Sequence, residues 1–580
     1  MNNYTHNSIS FSRQILSGVK RVKSLNLSSL RKVFSLMGKK EKTLFLTLLL
    51  IAVVSLAWTA RNLYYSATVP APSNGGELTE GFVGQPSYIN PALAYQNNDI
   101  TLIRLVYSGL YKYNGQGNLV PDLAEDFPQI SEDQKQYTIN LKKNVQWHNG
   151  RPFTANDVVF TFDIIKDPNF KSPLKNTWAS TNVEKIDEFS VKFTTKEVAG
   201  PFLNNLTQGI LPQNIWGNTT AQTFALSENN LKAIGTGPYA VSQIKKLNSG
   251  KVQSITLESF SNYFAGKPKL DLITVKFYDA SQDLVNALHS GEISSFGFVP
   301  FDEDIFVDPT RQNAQILKVP LPQFQAIFFN FQNKDLKERN VRAALSMLVS
   351  RQTIVEKAFG GNAKAAACLF CFYSGGSADI PAVDPAAATE LLEASGYKKS
   401  ENGNWSKNGH ELELRLFTSD FLPNARAAEE LAQEFRNFGI KINLNILPAK
   451  QLSDSVVKTR DFDILLLGQK FGSDPDPFGF WHSSQTNDPG LNLSGFADAE
   501  ADKLITAART TTDQAARLEK YDQLDALLKD RVPVVFLTQT VYTYFLDDSV
   551  KGVNISKLYD SAGRFYDTPN WYVMEGRVFK

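Results

Sequence analysis

The residues best suited to chemistry lie in one short run, 472–481, GSDPDPFGFW. Asp474 and Asp476 alternate with prolines, and Phe478, Phe480 and Trp481 follow directly. Carboxylates beside aromatic faces can hold a cation or a ligand ammonium. The competing reading is a turn, because Asp before Pro closes loops. Cys368 and Cys371 are the only cysteines and are spaced C-L-F-C. A structural zinc site needs four ligands, so the two read as a local disulfide or packed thiols, with a redox pair as the alternative. His148, His289, His410 and His482 stand far apart at no metal-binding spacing. Arg342 could meet a ligand carboxylate or serve as an internal ion-pair partner. No G-x-S-x-G, metal triad or cysteine–histidine signature supports hydrolysis, so no enzyme, cofactor or metal is expected, with a surface peptidase or a thiol oxidoreductase as the remote alternative.

Composition narrows the partners. The 580 residues carry 60 Lys plus Arg against 59 Asp plus Glu, which leaves no positive field for nucleic acid. The exception to this balance is 43–60, TLFLTLLLIAVVSLAWTA, uncharged and nearly long enough for a hydrocarbon core of about 30 Å. Nine Lys and Arg precede it, among them Arg13, Lys20, Arg31 and Lys42, with Glu41 the sole acid, so residues 1–42 are expected in the cytoplasm. Trp58, Tyr64 and Tyr65 would mark the outer interface. A cleaved signal peptide is the rival reading. An amphipathic stretch at 10–37 on the inner leaflet is a further one. Residues 61–76, ending PAPSNGG, have the composition of a flexible linker.

Beyond the linker, strand and helix patterns alternate, so the class is α/β. Residues 137–142, YTINLK, alternate with period two. Thr154 with Asp157 makes a capping pattern ahead of Val158, Phe160, Phe162 and Ile165. Asp384-Pro385 opens a helix that Gly396 stops, and Asn424 precedes a second helix that Gly439 ends. With 412–417 before that helix and 440–447 after it, a parallel strand-helix-strand unit is expected, and 464–467 extends its sheet.

Residues 119–158, LVPDLAEDFPQISEDQKQYTINLKKNVQWHNGRPFTANDV, resemble the signature of the peptide-binding class of extracytoplasmic solute-binding proteins of ABC importers. In that class P-x-L-A-E, an alternating strand and W-H-(D/N)-G-x-P-(F/L)-T-A-x-D-V follow one another in this order. Further landmarks recur downstream: SYINP at 87–91, GTGPY at 235–239, NYFAGKPKLD at 262–271, Phe329-Asn330 with NVRAAL at 340–345, and GSDPDP at 472–477.

The resemblance implies a two-lobed, periplasmic-binding-protein-like clamp with an extra small subdomain, preceded here by one transmembrane helix. Lobe one would take 77–295 and 535–580 and lobe two 296–534, with hinge strands at 328–331 and 533–540. It implies capture of a peptide or other small solute and delivery to a permease complex, by a monomer that the apolar helix, which lies outside the resemblance, would hold to the outer face of the membrane. The same fold could instead take a nickel chelate, an oligosaccharide or a signalling molecule. Ligand contacts would come from Asp474, Asp476, Phe471, Trp481, Asn330 and Tyr88. Dipeptide and oligopeptide binders of the class carry an acid three residues before the D-P-D turn that pairs with the ligand ammonium; this chain has Phe471 there. Either Asp474 or Asp476 takes over that group, or the ligand has no free N-terminus.

Overall fold

The structure, a computed structural model, describes residues 34–298, 314–376 and 379–580. The basic residues before 34, and with them most of the 10–37 stretch, lie outside it. The apolar segment forms a helix, Lys39–Ala67, longer than the uncharged run at both ends. Glu41 accepts the Gly38 amide at 2.8 Å, satisfying a free donor at the helix N-terminus.

The expected linker at 61–76 is instead structured. The helix runs on to Ala67 and passes directly into a strand, Thr68–Ser73, which pairs with the C-terminal strand Met574–Phe579. Arg577 is the reason: it donates to Thr68 Oγ1 and to the Thr68 and Tyr65 carbonyls at 2.8, 2.8 and 3.2 Å. A cation there satisfies carbonyls that the helix end leaves open. The helix with these strand ends is one compact unit, and Pro72–Met574 is another.

Within the larger unit, one mixed sheet carries the whole architecture. Its order runs Lys441–Leu447, Glu413–Ser419, Ile464–Lys470, Ala314–Phe329, Val534–Asp547, Ser295–Phe298, Glu77–Val83, Leu272–Tyr278, Val252–Ser259, Tyr239–Lys246. The expected strand-helix-strand unit is present, with Glu413 opposite Lys441 in a parallel ladder and Ile464–Lys470 joining beside it. Its helix begins one turn earlier than Asn424 suggested, at Leu422, because Pro423 sits comfortably in the first turn. Asn424 is therefore buried inside, donating to Ser419 Oγ at 3.2 Å. Gly439 ends the helix at φ +95°, a conformation that disfavours a side chain. The Thr154–Asp157 capping box and the Asp384 cap form as read. The small subdomain is a four-stranded sheet, 129–130, 136–140, 190–195 and 181–187, carrying Ala155–Lys166.

Two strands cross between lobes. Ala314–Phe329 pairs antiparallel with Val534–Asp547 from Ala314 opposite Asp547 to Phe328 opposite Val534. A strand of 16 residues spans about 50 Å, long enough to serve two cores. Val319, Leu321, Tyr542 and Tyr544 accordingly belong to the first lobe's core. Ile327, Phe329, Val535 and Leu537 face one side of the second lobe, and Phe324, Phe328, Val534 and Phe536 face the other, as period two demands. The lobes thus exchange inside these strands, near 321–324 and 537–542, rather than at 295/296 and 534/535.

The C-terminal segment is tied back into lobe one by a buried ion pair. Arg564 donates to Glu80 Oε1 through Nε and Nη2 at 3.1 and 2.9 Å, while Tyr544 and Ser295 donate to Oε2. Neither side chain exceeds 4% exposure. Removing one partner strands the other's charge in a dry site, so Glu80→Ala is expected to cost about 3–5 kcal/mol. Urea unfolding checks this, with Glu80→Gln intermediate because it retains an acceptor.

Candidate functional site

The cleft between the lobes is built from the loop and helix after the first strand, the 198–209 segment, and the acidic turn of lobe two. Asp99, buried on the helix Asn97–Val106, accepts the Ser87 amide at 2.8 Å and so shapes the SYINP loop. His148 does the same for the GTGPY turn. Its Nδ1 accepts the Gly235 amide at 3.2 Å, and its Nε2 lies 3.0 Å from the Gly237 carbonyl, which suits a neutral ring. Burial pushes its pKa down to about 4. Both ring nitrogens are therefore occupied by backbone.

Asp474 pairs with Arg517 at 2.9 Å, both side chains at most 10% exposed, and accepts from Tyr521 at 3.3 Å. Burial raises its carboxyl above the ordinary range while Arg517 opposes the rise. Across the cleft it meets Asn204 Nδ2 at 3.4 Å, and Asn204 Oδ1 accepts from Tyr113 at 2.9 Å. Asp476 accepts the Phe478 amide and pairs with Arg509 Nε at 3.1 Å, and that guanidinium lies 4.3 Å from the Phe478 ring centroid. Both carboxylates reach the cleft already partnered by arginines of lobe two.

The other expected contacts stand further back. Phe471 is buried against Phe480 and Phe324, with ring centroids 4.9 and 6.5 Å away, and its amide donates to the Pro322 carbonyl. Trp481 is buried and stacks on Phe328. Asn330 is buried, its Nδ2 donating to the Arg460 and Phe462 carbonyls at 2.9 and 2.7 Å and its Oδ1 accepting from Gln332. Tyr88 is half-buried and packs on the first core. Arg342 closes the end of the helix Gln514–Arg531, donating to the Val532 carbonyl at 2.9 Å, to the Leu336 carbonyl at 2.8 Å, and to that of Arg531. Cys368 and Cys371 are joined as a disulfide, and Asp525 beside them accepts the Leu369 amide at 3.1 Å.

Three cavities lie in series along lobe one's side of the cleft. The largest, 440 Å³, is walled by Phe202, Asn205 and Thr177 of lobe one and by Asp476, Phe478 and Arg509 of lobe two. A second, 300 Å³, shares Thr177 and Asn205 with it and continues past Asn204 to Arg104. A third, 40 Å³, shares Arg104, Ile103, Thr207 and Gly209 with the second and ends at Tyr107 and Tyr263. No histidine or cysteine lines these three. The sequence reading missed Arg104, Asn204 and Arg509; only the placement of Arg104 between buried Leu102 and Leu105 hinted at an inward-facing charge.

A fold of this kind defines a class of protein: a two-lobed clamp that closes on a solute. Comparison places it further. The model of bacterial extracellular solute-binding proteins, family 5 (middle region), matches residues 118–490, and the chain belongs to that family. It is 27% identical over 557 residues to the oligopeptide-binding protein AppA of Bacillus subtilis, covering 92% of this chain and 99% of the relative. The structure of that species' AppA in complex with a nonapeptide superposes with TM-score 0.64 at 26% identity, over 87% of this chain and 100% of the other. NikZ of Campylobacter jejuni in complex with Ni(L-His) gives TM-score 0.66 at 27% identity, over 86% and 99%.

Two expectations follow from the geometry. Gly200 donates its amide to the Arg509 carbonyl of the opposite lobe at 2.8 Å, and a Cβ there would meet the Thr511 oxygen at 2.4 Å. Gly200→Val should push the lobes apart, raising the radius of gyration in small-angle scattering and weakening ligand retention about tenfold. His148, depressed from an ordinary value of about 6.5, contributes stability that is complete above that pH and is lost as pH falls towards 4. His148→Gln should therefore flatten the fall in Tm between pH 7 and 4.5. Glu434 and Asp525, which burial raises to about 7 and about 6, act in the opposite sense but equally in both proteins.

Proposed function

We propose that this chain captures an extended peptide between its lobes and hands it to an ABC importer permease, working as a monomer outside the cytoplasm. The observation that carries the peptide reading is the series of cavities with common walls, an elongated shape that suits a chain-like solute better than a compact one. Tyr566, which walls the innermost cavity and packs against Tyr113, offers a sequence-tolerant aromatic face. A peptide bound mainly through its main chain would tolerate varied side chains in roomy pockets. The helix Lys39–Ala67, long and apolar enough to cross a membrane, would serve as an uncleaved anchor with its N-terminus inside. Nothing in this mechanism needs a catalytic group or a cofactor.

The test is isothermal titration of the full chain in detergent micelles against a mixed tetrapeptide pool, with nickel-histidine and oligosaccharides as comparison ligands. Saturable heat with the peptides is expected. Silence towards every peptide, with binding to one of the other ligands, overturns the peptide reading and leaves the family untouched.

A further inference from the structure

We propose that Arg104 and Tyr107 form an anion subsite at the inner end of the cleft, which takes a carboxylate of the bound solute; this rests on the peptide reading above. Both residues sit on or beside the last turn of the helix Asn97–Val106 and both line the 40 Å³ cavity. Arg104 Nε and the Tyr107 hydroxyl are buried without a hydrogen-bond partner. Tyr107 is only 5% exposed. Two outstanding donors on residues that wall one small space call for an acceptor, since buried polar groups are otherwise satisfied in folded proteins.

The charge around the cavity decides what acceptor suits it. Lys112 and Asp122 also line it, but they neutralise each other at 3.1 Å, and Lys112 reaches the Tyr263 hydroxyl at 3.5 Å. Asp122 Oδ1 itself has no hydrogen-bond partner and faces the same region, paired only by that ammonium. Arg104 has two acids near it: Asp122 across the same cavity, already paired with Lys112, and Asp560 at 3.6 Å through Nη2. That is longer than a hydrogen bond, and Asp560 Oδ1 already accepts the Gly563 amide at 2.8 Å. The guanidinium packs on the Tyr566 ring, 4.5 Å from its centroid, which orients it without using its donors. The group left to face a ligand is therefore a positioned cation with a hydroxyl beside it, a pairing suited to a carboxylate.

Size agrees. A water needs about 10–15 Å³ of such space, so 40 Å³ admits roughly three heavy atoms, the number in a carboxylate group. The rest of the solute would lie in the 300 Å³ groove, which Arg104 also walls. At the acidic turn, by contrast, both aspartates are partnered by arginines, so the end of the solute with a charge to recognise is the anionic one.

The experiment compares each tetrapeptide of the pool as free acid and as C-terminal amide, and N-acetylalanine with its N-methylamide. These are titrated into the full-length wild type, Arg104→Gln, Arg104→Lys and Tyr107→Phe. The wild type should prefer the acids by about 10- to 100-fold. Arg104→Gln should erase that preference, costing the acids far more than the amides, Arg104→Lys should keep part of it, and Tyr107→Phe should reduce it several-fold. Peptides that bind equally as acid and amide would overturn the subsite, whose cavity would then hold water, while leaving peptide capture intact. If no peptide binds but N-acetylalanine does so in an Arg104-dependent way, the subsite stands and the peptide reading falls. If neither binds, both fall. Should Arg104→Gln unfold, shown by its Tm, the acid preference of the wild type and its reduction in Arg104→Lys decide.

Discussion

The antiparallel ladder between Ala314–Phe329 and Val534–Asp547 is the constraint on which the rest depends. Each strand contributes apolar side chains to the first lobe at one end and to both faces of the second lobe at the other. Separating the lobes would mean breaking main-chain hydrogen bonds in both, whereas bending the ladder costs little. Its register slips between Pro320 and Phe324 and again between Gln325 and Ala326, where the cores exchange. Bulges concentrate bending and twist, so a hinge between the lobes would fall within the ladder rather than in a separate loop. Gln539 donates to the Leu321 carbonyl at 3.0 Å and steadies the slipped segment.

Because the second crossing strand delivers the chain back to lobe one, the C-terminal segment can complete that lobe. Glu80 on the first strand and Arg564 near the end meet in its interior, with Tyr544 and Ser295 completing the carboxylate's partners. A pair this dry contributes less to net stability than its Coulomb attraction suggests, since both charges lose their water. Its value is in specificity: residues 484 positions apart in sequence can be satisfied only in one arrangement. The same return places Tyr559 and Tyr566 against Tyr113 at the cleft, so this wall depends on residues that follow the second crossing strand.

At the cleft, electrostatics distributes roles between the lobes. Lobe two brings carboxylates that arrive with their own arginines, Asp474 with Arg517 and Asp476 with Arg509. Lobe one brings polar groups on a rigid helix and an adaptable Asn204 that bridges Tyr113 to Asp474. Away from that network the lobes also meet through main chain, Gly200 to Arg509, through the Thr512 hydroxyl donating to Gln134 at 2.8 Å, and through Phe372 and Tyr373 packed on Tyr559.

Much of this was legible in the sequence because it depends on neighbours in the chain. An uncharged run of 18 residues can only be a long apolar helix; Thr154 with Asp157, Asp384 with Pro385, and Gly439 mark helix ends through contacts three or four residues away; and alternation placed the strands. The family motifs at 119–158 and 235–239 announced the clamp. What only the tertiary structure decided were matters of long-range pairing. Residues 61–76 read as a linker because nothing local orders them, and Arg577, some 500 residues downstream, makes part of them a strand. Asp474 and Asp476 read as open acids, but whether a carboxylate is free depends on which cation folds beside it. Arg104 carried no motif at all. It matters because folding buries its Nε without a partner beside a cavity, a property of the space around the residue rather than of its neighbours in the chain.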